Sequence, residues 1–331
     1  MLGIAVLGAG RIGKIHAANV AANRNARLVA VADPYGDAAS SLASLHGAEA
    51  VLDPFAAIER ADVDAVVIGT PTNTHLPLLL KAVELGKAAL CEKPIDLDME
   101  RSRAAVAQIK ERGGKVMMAF NRRFENTFAE MRRAIDAGEI GEVRQVVISS
   151  RDPGMPPAEY VRTSGGIFRD MTIHDLDMAR FLLGEEPTEV SAVASRIVDS
   201  SLCEAHDDFD TVMLIMKTAS GKQCHINNCR EAVYGYDQRV EVFGSTGMLL
   251  QENQRKTSLR RWSATTTDAR EPLLNFFLER YTQAYKSEVD AFVNALIKDL
   301  PLPTSLDDGL QALRLADCAL EAVRTGRTVA V

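Results

Sequence analysis

The sequence predicts an α/β plus α+β chain: an N-terminal Rossmann domain with a doubly wound parallel sheet, then a C-terminal α+β domain on a large, mostly antiparallel sheet. Three observations carry this. Short apolar runs alternate with helical stretches up to about Asn121, a glycine turn joins the first run to the first helix, and beyond Phe124 strand-like segments separated by polar turns take over. A length of 331 residues is more than one core usually serves, so the expected domains are 1–121 and 122–331.

Composition narrows the partners. Thirty-eight basic residues against 45 acidic give a formal charge of -7, an unfavourable field for nucleic acid. No apolar run approaches the roughly 18 residues that a spanning helix needs, and the chain enters an apolar strand at Leu2 without a charged leader. A soluble, cytoplasmic protein is expected. Cys91, Cys203, Cys224, Cys229 and Cys318 are odd in number and scattered, which suits reduced thiols. Cys203, His206, Cys224 and Cys229 have the flavour of a zinc site, but a strand over Gln223–Arg230 points Cys224 and Cys229 to opposite faces. No metal is expected.

The first elements are the most explicit. Apolar "IAVLG" runs into "AGRIG" and then into the helical "KIHAANVAAN", with Gly8, Gly10 and Gly13 spaced G-x-G-x-x-G. Such glycines serve a tight turn, close backbone approach to a pyrophosphate, and close helix-to-strand packing; Arg11 and Ile12 complete the turn. The second strand, "RLVAVAD", ends at Asp33, twenty residues after Gly13. A carboxylate there accepts hydrogen bonds from ribose hydroxyls and repels a 2'-phosphate, which favours NAD over NADP. "VDAVVIG", "KAALCE" and "KVMMAF" continue the alternation with helices His75–Leu85 and Met99–Arg112. Ligands lie at the carboxyl ends of such strands, so Thr70, Pro71, Asn73 and His75 of "TPTNTH", and Glu92 and Lys93 of "CEKP", should face the cofactor.

After Phe124 the spacing predicts strands near Val143–Ser150, Val190–Val198, Phe209–Met216, Gln223–Cys229 and Arg239–Val242, then helices near Phe276–Ile297 and Leu306–Thr325. A large sheet with one polar and one apolar face commonly seals an oligomer interface, so a homo-oligomer, taken as a homotetramer, is expected.

One helix carries unusual charge. "FRDMTIHDLDMARFLLG" sets Asp170, His174, Asp175 and Asp177 in its first turns, while Thr172, Leu176, Ala179 and Leu183 form an apolar stripe. Asp170 and His174, four apart, share a face with Asp177, three further on, and this face looks into a cleft. A helix dipole accounts for acids at the start and not for His174. Half a metal site would also place Asp and His four apart, but nothing in the sequence completes it. Oxidation of an alcohol needs a base for the hydroxyl proton and a donor for the developing alkoxide, tasks that suit His174 and Lys93, with Asp170 orienting them.

With these residues in place, the chain resembles the glucose-fructose oxidoreductase and inositol dehydrogenase family along essentially its whole length, through "GAGRIG", "TPTNTH", "EKP", "GEIGEV" and "DMTIHDLDMARFLLG". The resemblance implies that Lys93 binds the hydroxyl and relays its proton, that Asp170 supports it, that His174 is the acid/base, and that Lys93–Pro94 is a cis peptide. "CEKPIDLD", "FNRRF" and "YGYDQR" look most like the inositol-oxidising members, implying a myo-inositol substrate with NAD. A polyol offers hydroxyls in every direction, so its pocket needs many oriented polar groups. Arg122, Arg123, Asp152, Thr172, Tyr234 and Tyr236 are the candidates. The same chemistry on scyllo-inositol, chiro-inositol or glucose, and a nucleotide-binding regulator without turnover, are the competing readings; Lys93, Asp170 and His174 together argue against the regulator.

Overall fold

Six strands, β1 (Leu2–Leu7), β2 (Ala26–Ala32), β3 (Glu49–Val51), β4 (Ala65–Ile68), β5 (Ala88–Glu92) and β6 (Val116–Ala119), pair in the order β3-β2-β1-β4-β5-β6, every pair parallel. This computed structural model describes all 331 residues. Apart from β3, the strands read as largely apolar runs because helices cover both faces of such a sheet; all of β4 is inaccessible to solvent. The crossovers are α1 (Arg11–Ala22), α2 (Gly36–His46), α3 (Pro54–Glu59), α4 (His75–Glu84) and α5 (Met99–Glu111). Strand order reverses between β1 and β4, and the loops that leave these two strands carry the glycine turn and Thr70–His75.

The second sheet has seven strands. In chain order they are β7 (Val143–Arg151), β8 (Pro187–Ser195), β9 (Thr211–Thr218), β10 (Gln223–Cys229), β11 (Asp237–Gly244) and β12 (Met248–Gln251); a two-residue hairpin, β13 (Arg260–Arg261) with β14 (Ala269–Arg270), precedes the last, β15 (Val329–Ala330). The order is β12-β11-β7-β10-β9-β8-β15. All neighbours are antiparallel except β7 and β10, which run parallel from Gln145 and Gln223 to Arg151 and Cys229. Alternation is plain along β9: Val212, Leu214 and Met216 are buried, whereas Met213 and Ile215 are exposed. Helices α6 (Asn126–Asp136), α7 (Ala158–Ser164), α8 (Ile173–Leu183), α9 (Ser200–Ala205) and α10 (Phe277–Arg280) belong to this part, with α8 packed on β7 and β10.

Packing divides the chain into Met1–Phe124 with Ala284–Leu313, and Glu125–Gln283 with Arg314–Val331. The packing units thus differ from a single division at 121/122 in that a late segment joins the first. Helix α11 (Thr282–Lys298) sends Val289, Phe292 and Val293 into the same apolar core as Ile4, Val6, Leu28, Val67 and Leu90 of the parallel sheet. Helix α12 (Leu306–Thr325) begins in that unit and ends in the other. No helix is long and apolar enough to cross a membrane.

Candidate active site

The three glycines of the first turn do different work. Gly8 has φ +98°, a left-handed conformation that a side chain disfavours, and a Cβ there would stand 2.7 Å from the Gly69 carbonyl oxygen. At Gly13 the clash would be with the Gly8 carbonyl. Gly10 is exposed, with open space where its Cβ would be. It also precedes α1 without any side-chain cap, and no acid stands in the first turn of that helix. Uncapped N–H groups and open space above them fit a pyrophosphate. Asp33, at the end of β2, turns back on the same loop: its Oδ2 accepts the Ala9 N–H at 2.7 Å and its Oδ1 the Tyr35 N–H at 2.9 Å. Further lone pairs on this half-buried carboxylate suit ribose hydroxyls. The residues present therefore fit NAD.

Thr70 and Pro71 leave β4, and Asn73 lies in the 3-10 turn Thr72–Thr74 that leads into α4. His75 departs from expectation. Its ring is buried, with Nδ1 2.8 Å from the Pro94 carbonyl and Nε2 2.9 Å from that of Thr70. Burial pushes its pKa down against the pull of the two carbonyls, so the neutral ring donates one N–H and braces "TPTNTH" against "EKP". Both ring nitrogens face these two carbonyls. Glu92 is similarly committed, 2.8 Å from Nε2 of the buried His16 on α1. Lys93 follows β5, half-buried, and joins Pro94 through a cis peptide.

The charged segment is not one continuous α-helix. Phe168–Thr172 is a π-helical turn that runs into α8, entered through Gly165 and Gly166 at φ +85° and +81°. Single π turns recur at functional sites because they re-aim side chains without ending the helix. From Asp170 to Arg180, only Asp170 and His174 escape full burial. The other charges are spent inside. Asp175 accepts the Asn228 side-chain N–H at 2.8 Å, and Asp177 pairs with Arg180, which in turn holds Glu186. Asp170 takes the Tyr160 hydroxyl at 2.7 Å on one oxygen and an Arg230 N–H at 3.3 Å on the other. Tyr160, Asp208 and Arg230 were not singled out by the sequence: an isolated arginine after a strand has no periodicity to mark it.

The substrate candidates lie on several elements. Thr172 is fully buried and donates its hydroxyl to Asn228 at 2.7 Å. Tyr236 is buried edge-on to Phe276 and Tyr281. Tyr234 is exposed, its hydroxyl 2.7 Å from Asp237 and 2.9 Å from Arg151. Asp152, half-buried, follows β7. Arg122 is buried in the turn after β6, and Arg123 pairs with Asp308 at 2.9 Å.

Comparison with known proteins agrees with the fold. Residues 2–120 match the oxidoreductase family with an NAD-binding Rossmann fold, and residues 128–250 match the GFO/IDH/MocA C-terminal domain. An inositol 2-dehydrogenase of Rhizobium meliloti (strain 1021) is 51% identical over 98% of either chain. The crystal structure of a myo-inositol dehydrogenase from Corynebacterium glutamicum superposes with a TM-score of 0.96 at 47% identity, covering 100% of this chain and 99% of the other. That of scyllo-inositol dehydrogenase from Lactobacillus casei, with NAD(H) and scyllo-inositol bound, gives 0.92 at 29% identity over 100% and 99%. The two sheets are thus those of an NAD-dependent oxidoreductase, and the chain belongs to the GFO/IDH/MocA family.

Proposed function

We propose that this chain oxidises myo-inositol to 2-keto-myo-inositol (scyllo-inosose), with His174 as acid/base and Lys93 and Asp170 in support. The observation that carries the reading is that Asp170 and His174 alone stay accessible on a segment whose other side chains, from Asp170 to Arg180, are buried. Two accessible polar groups on an otherwise buried segment support a ligand-facing role. NAD, held at the glycine turn and Asp33, supplies the hydride acceptor when bound. His174 takes the hydroxyl proton, a role that matches an imidazole's unperturbed range near neutral pH. Lys93 donates to the hydroxyl oxygen and steadies negative charge as the proton leaves. Asp170 orients the proton-transfer groups.

The relatives named for inositol support this substrate class, and the scyllo-inositol complex supports a second reading in which that epimer is preferred. Asp152 and Tyr234 are the candidates for reading hydroxyl orientation. Initial rates of NADH formation with myo-, scyllo- and chiro-inositol and glucose, each with NAD and NADP, test both. Myo-inositol with NAD should lead; a lead for scyllo-inositol would transfer the assignment, and silence with every polyol would reject it.

A homotetramer is also proposed. Val147, Val193, Met213, Ile215, Phe243 and Leu250 put exposed apolar side chains on one side of the seven-stranded sheet, the composition of a subunit interface. Light scattering coupled to size exclusion should give four chains, and Ile215→Lys should lower that number. The five free cysteines suit a reducing compartment, and the cytoplasm is the proposed location.

A further inference from the structure

Arg230 is among the most completely buried side chains of the molecule, although a guanidinium is costly to remove from water without paired acceptors. It follows β10 directly, and its backbone N–H donates to the Asp210 carbonyl at 2.8 Å, which fixes where the side chain starts. Its Nη1 donates to Asp208 Oδ2 at 3.2 Å and its Nη2 to Asp170 Oδ2 at 3.3 Å, while Nε has no partner. The guanidinium is thus committed to two carboxylates. The buried Asp208 uses its other oxygen to accept the Ile167 N–H at 2.7 Å. Ile167 is the last residue before the π turn, and at Gly166 a Cβ would stand 2.8 Å from that same Asp208 oxygen. Asp208 therefore anchors the backbone entering the turn, and Arg230 carries that anchor across to the side chain of Asp170. Tyr160 holds the remaining Asp170 oxygen from the solvent side.

We infer that Arg230 is a positioning residue for the oxidation, which sets the Asp170 carboxylate by bridging it to Asp208. The inference rests on the role proposed above for Asp170. Planarity is what the bridge uses: the fork of a guanidinium presents two N–H groups in fixed directions, whereas a lysine offers the same charge at a single point. Charge alone is then not enough, and Arg230→Lys should loosen Asp170 while leaving the interior neutralised.

The test is a double-mutant cycle on the full chain, read as kcat with myo-inositol and NAD, NAD affinity by fluorescence titration, and thermal unfolding of each variant. Asp170→Asn should lower kcat by about 10²-fold. Arg230→Lys should lower kcat about tenfold in the native background and less than about twofold in the Asp170→Asn background, with NAD affinity unchanged in both. Equal fold-losses in the two backgrounds, or a full kcat in Arg230→Lys, would overturn the positioning role and leave Asp170 in place. A fully active Asp170→Asn would instead remove Asp170 from the chemistry, and the role of Arg230 with it. Should Arg230→Lys fail to fold, Asp208→Asn enters the same cycle: it releases the far end of the bridge with Arg230 intact, and the same non-additivity is expected.

Discussion

Gly13 sits directly beneath the carbonyl of Gly8: a Cβ added to Gly13 would lie 1.8 Å from that oxygen, with its carbonyl carbon only 2.7 Å away. Both atoms are backbone, so no rotamer can relieve the collision. Gly13→Ala should therefore misfold the first crossover, with little soluble protein or a thermal midpoint lowered by several degrees. Gly10→Ala, placed in open space, should fold like the parent and lose NAD affinity by tenfold or more, because the methyl occupies ground a pyrophosphate needs. Paired thermal melts and NAD titrations separate the two effects; a Gly13→Ala protein of unchanged stability would refute the packing argument.

Asp33 has two duties that one substitution disturbs together. It accepts the Ala9 N–H and stands where an adenosine ribose is expected. Asp33→Ala should weaken NAD and narrow the preference over NADP by about tenfold or more, about 1.4 kcal/mol for each factor of ten. Ratios of kcat/KM for the two cofactors measure it. An unchanged ratio would mean that Asp33 serves the loop and not the ribose.

For His174 the expected signature is a division between chemistry and binding. His174→Ala should cut turnover by about 10²-fold or more while NAD affinity stays within about twofold, since nothing at the glycine turn changes. Steady-state rates together with a binding titration decide this, and a variant with parental kcat would take the imidazole out of the mechanism.

Glu288, on α11, is wholly buried, and neither of its oxygens has a hydrogen-bond partner. Burial, with Glu92 nearby, holds its pKa well above the usual carboxylate range. Below about pH 4.3 the group is protonated whether or not the chain is folded, and it contributes no pH dependence. As pH rises past that value, the unfolded chain ionises while the native one keeps its proton. Stability then falls by about 1.4 kcal/mol per pH unit until the native value is reached. Glu288→Gln should leave the melting temperature near its parental value at about pH 4 and raise it at pH 8. A gain of equal size at both pH values would show that packing, and not ionisation, is responsible.

What the sequence made legible, and what it hid, follows from the range of each interaction. The glycine turn is local, so Gly8, Gly10 and Gly13 could be assigned separate duties from spacing alone, and Gln223–Cys229 and Leu306–Thr325 end where periodicity put them. The strand Glu49–Val51 is too short for alternation to register, and its residues are mostly exposed. The contact of His75 with the Pro94 carbonyl was not legible, because that carbonyl lies 19 residues away on another loop. Arg230 was hidden for the same reason, with its two carboxylates 22 and 60 residues distant. Spacing turns the charges of "IHDLD" together toward a cleft, and only the positions of Asn228 and Arg180 reveal that Asp175 and Asp177 tie the helix inward.

The apolar side of α11 shows that this segment packs, without saying on what; the answer, the parallel sheet, bears on how such a gene can change. A truncation after Phe124 would strip the nucleotide-binding half of Val289, Phe292 and Val293 and leave its hydrophobic interior open to water. Exchange by recombination is constrained likewise: a crossover that imports residues 1–124 from a relative keeps a foreign 284–313 against them, so the two stretches must be inherited as a matched pair or drift together.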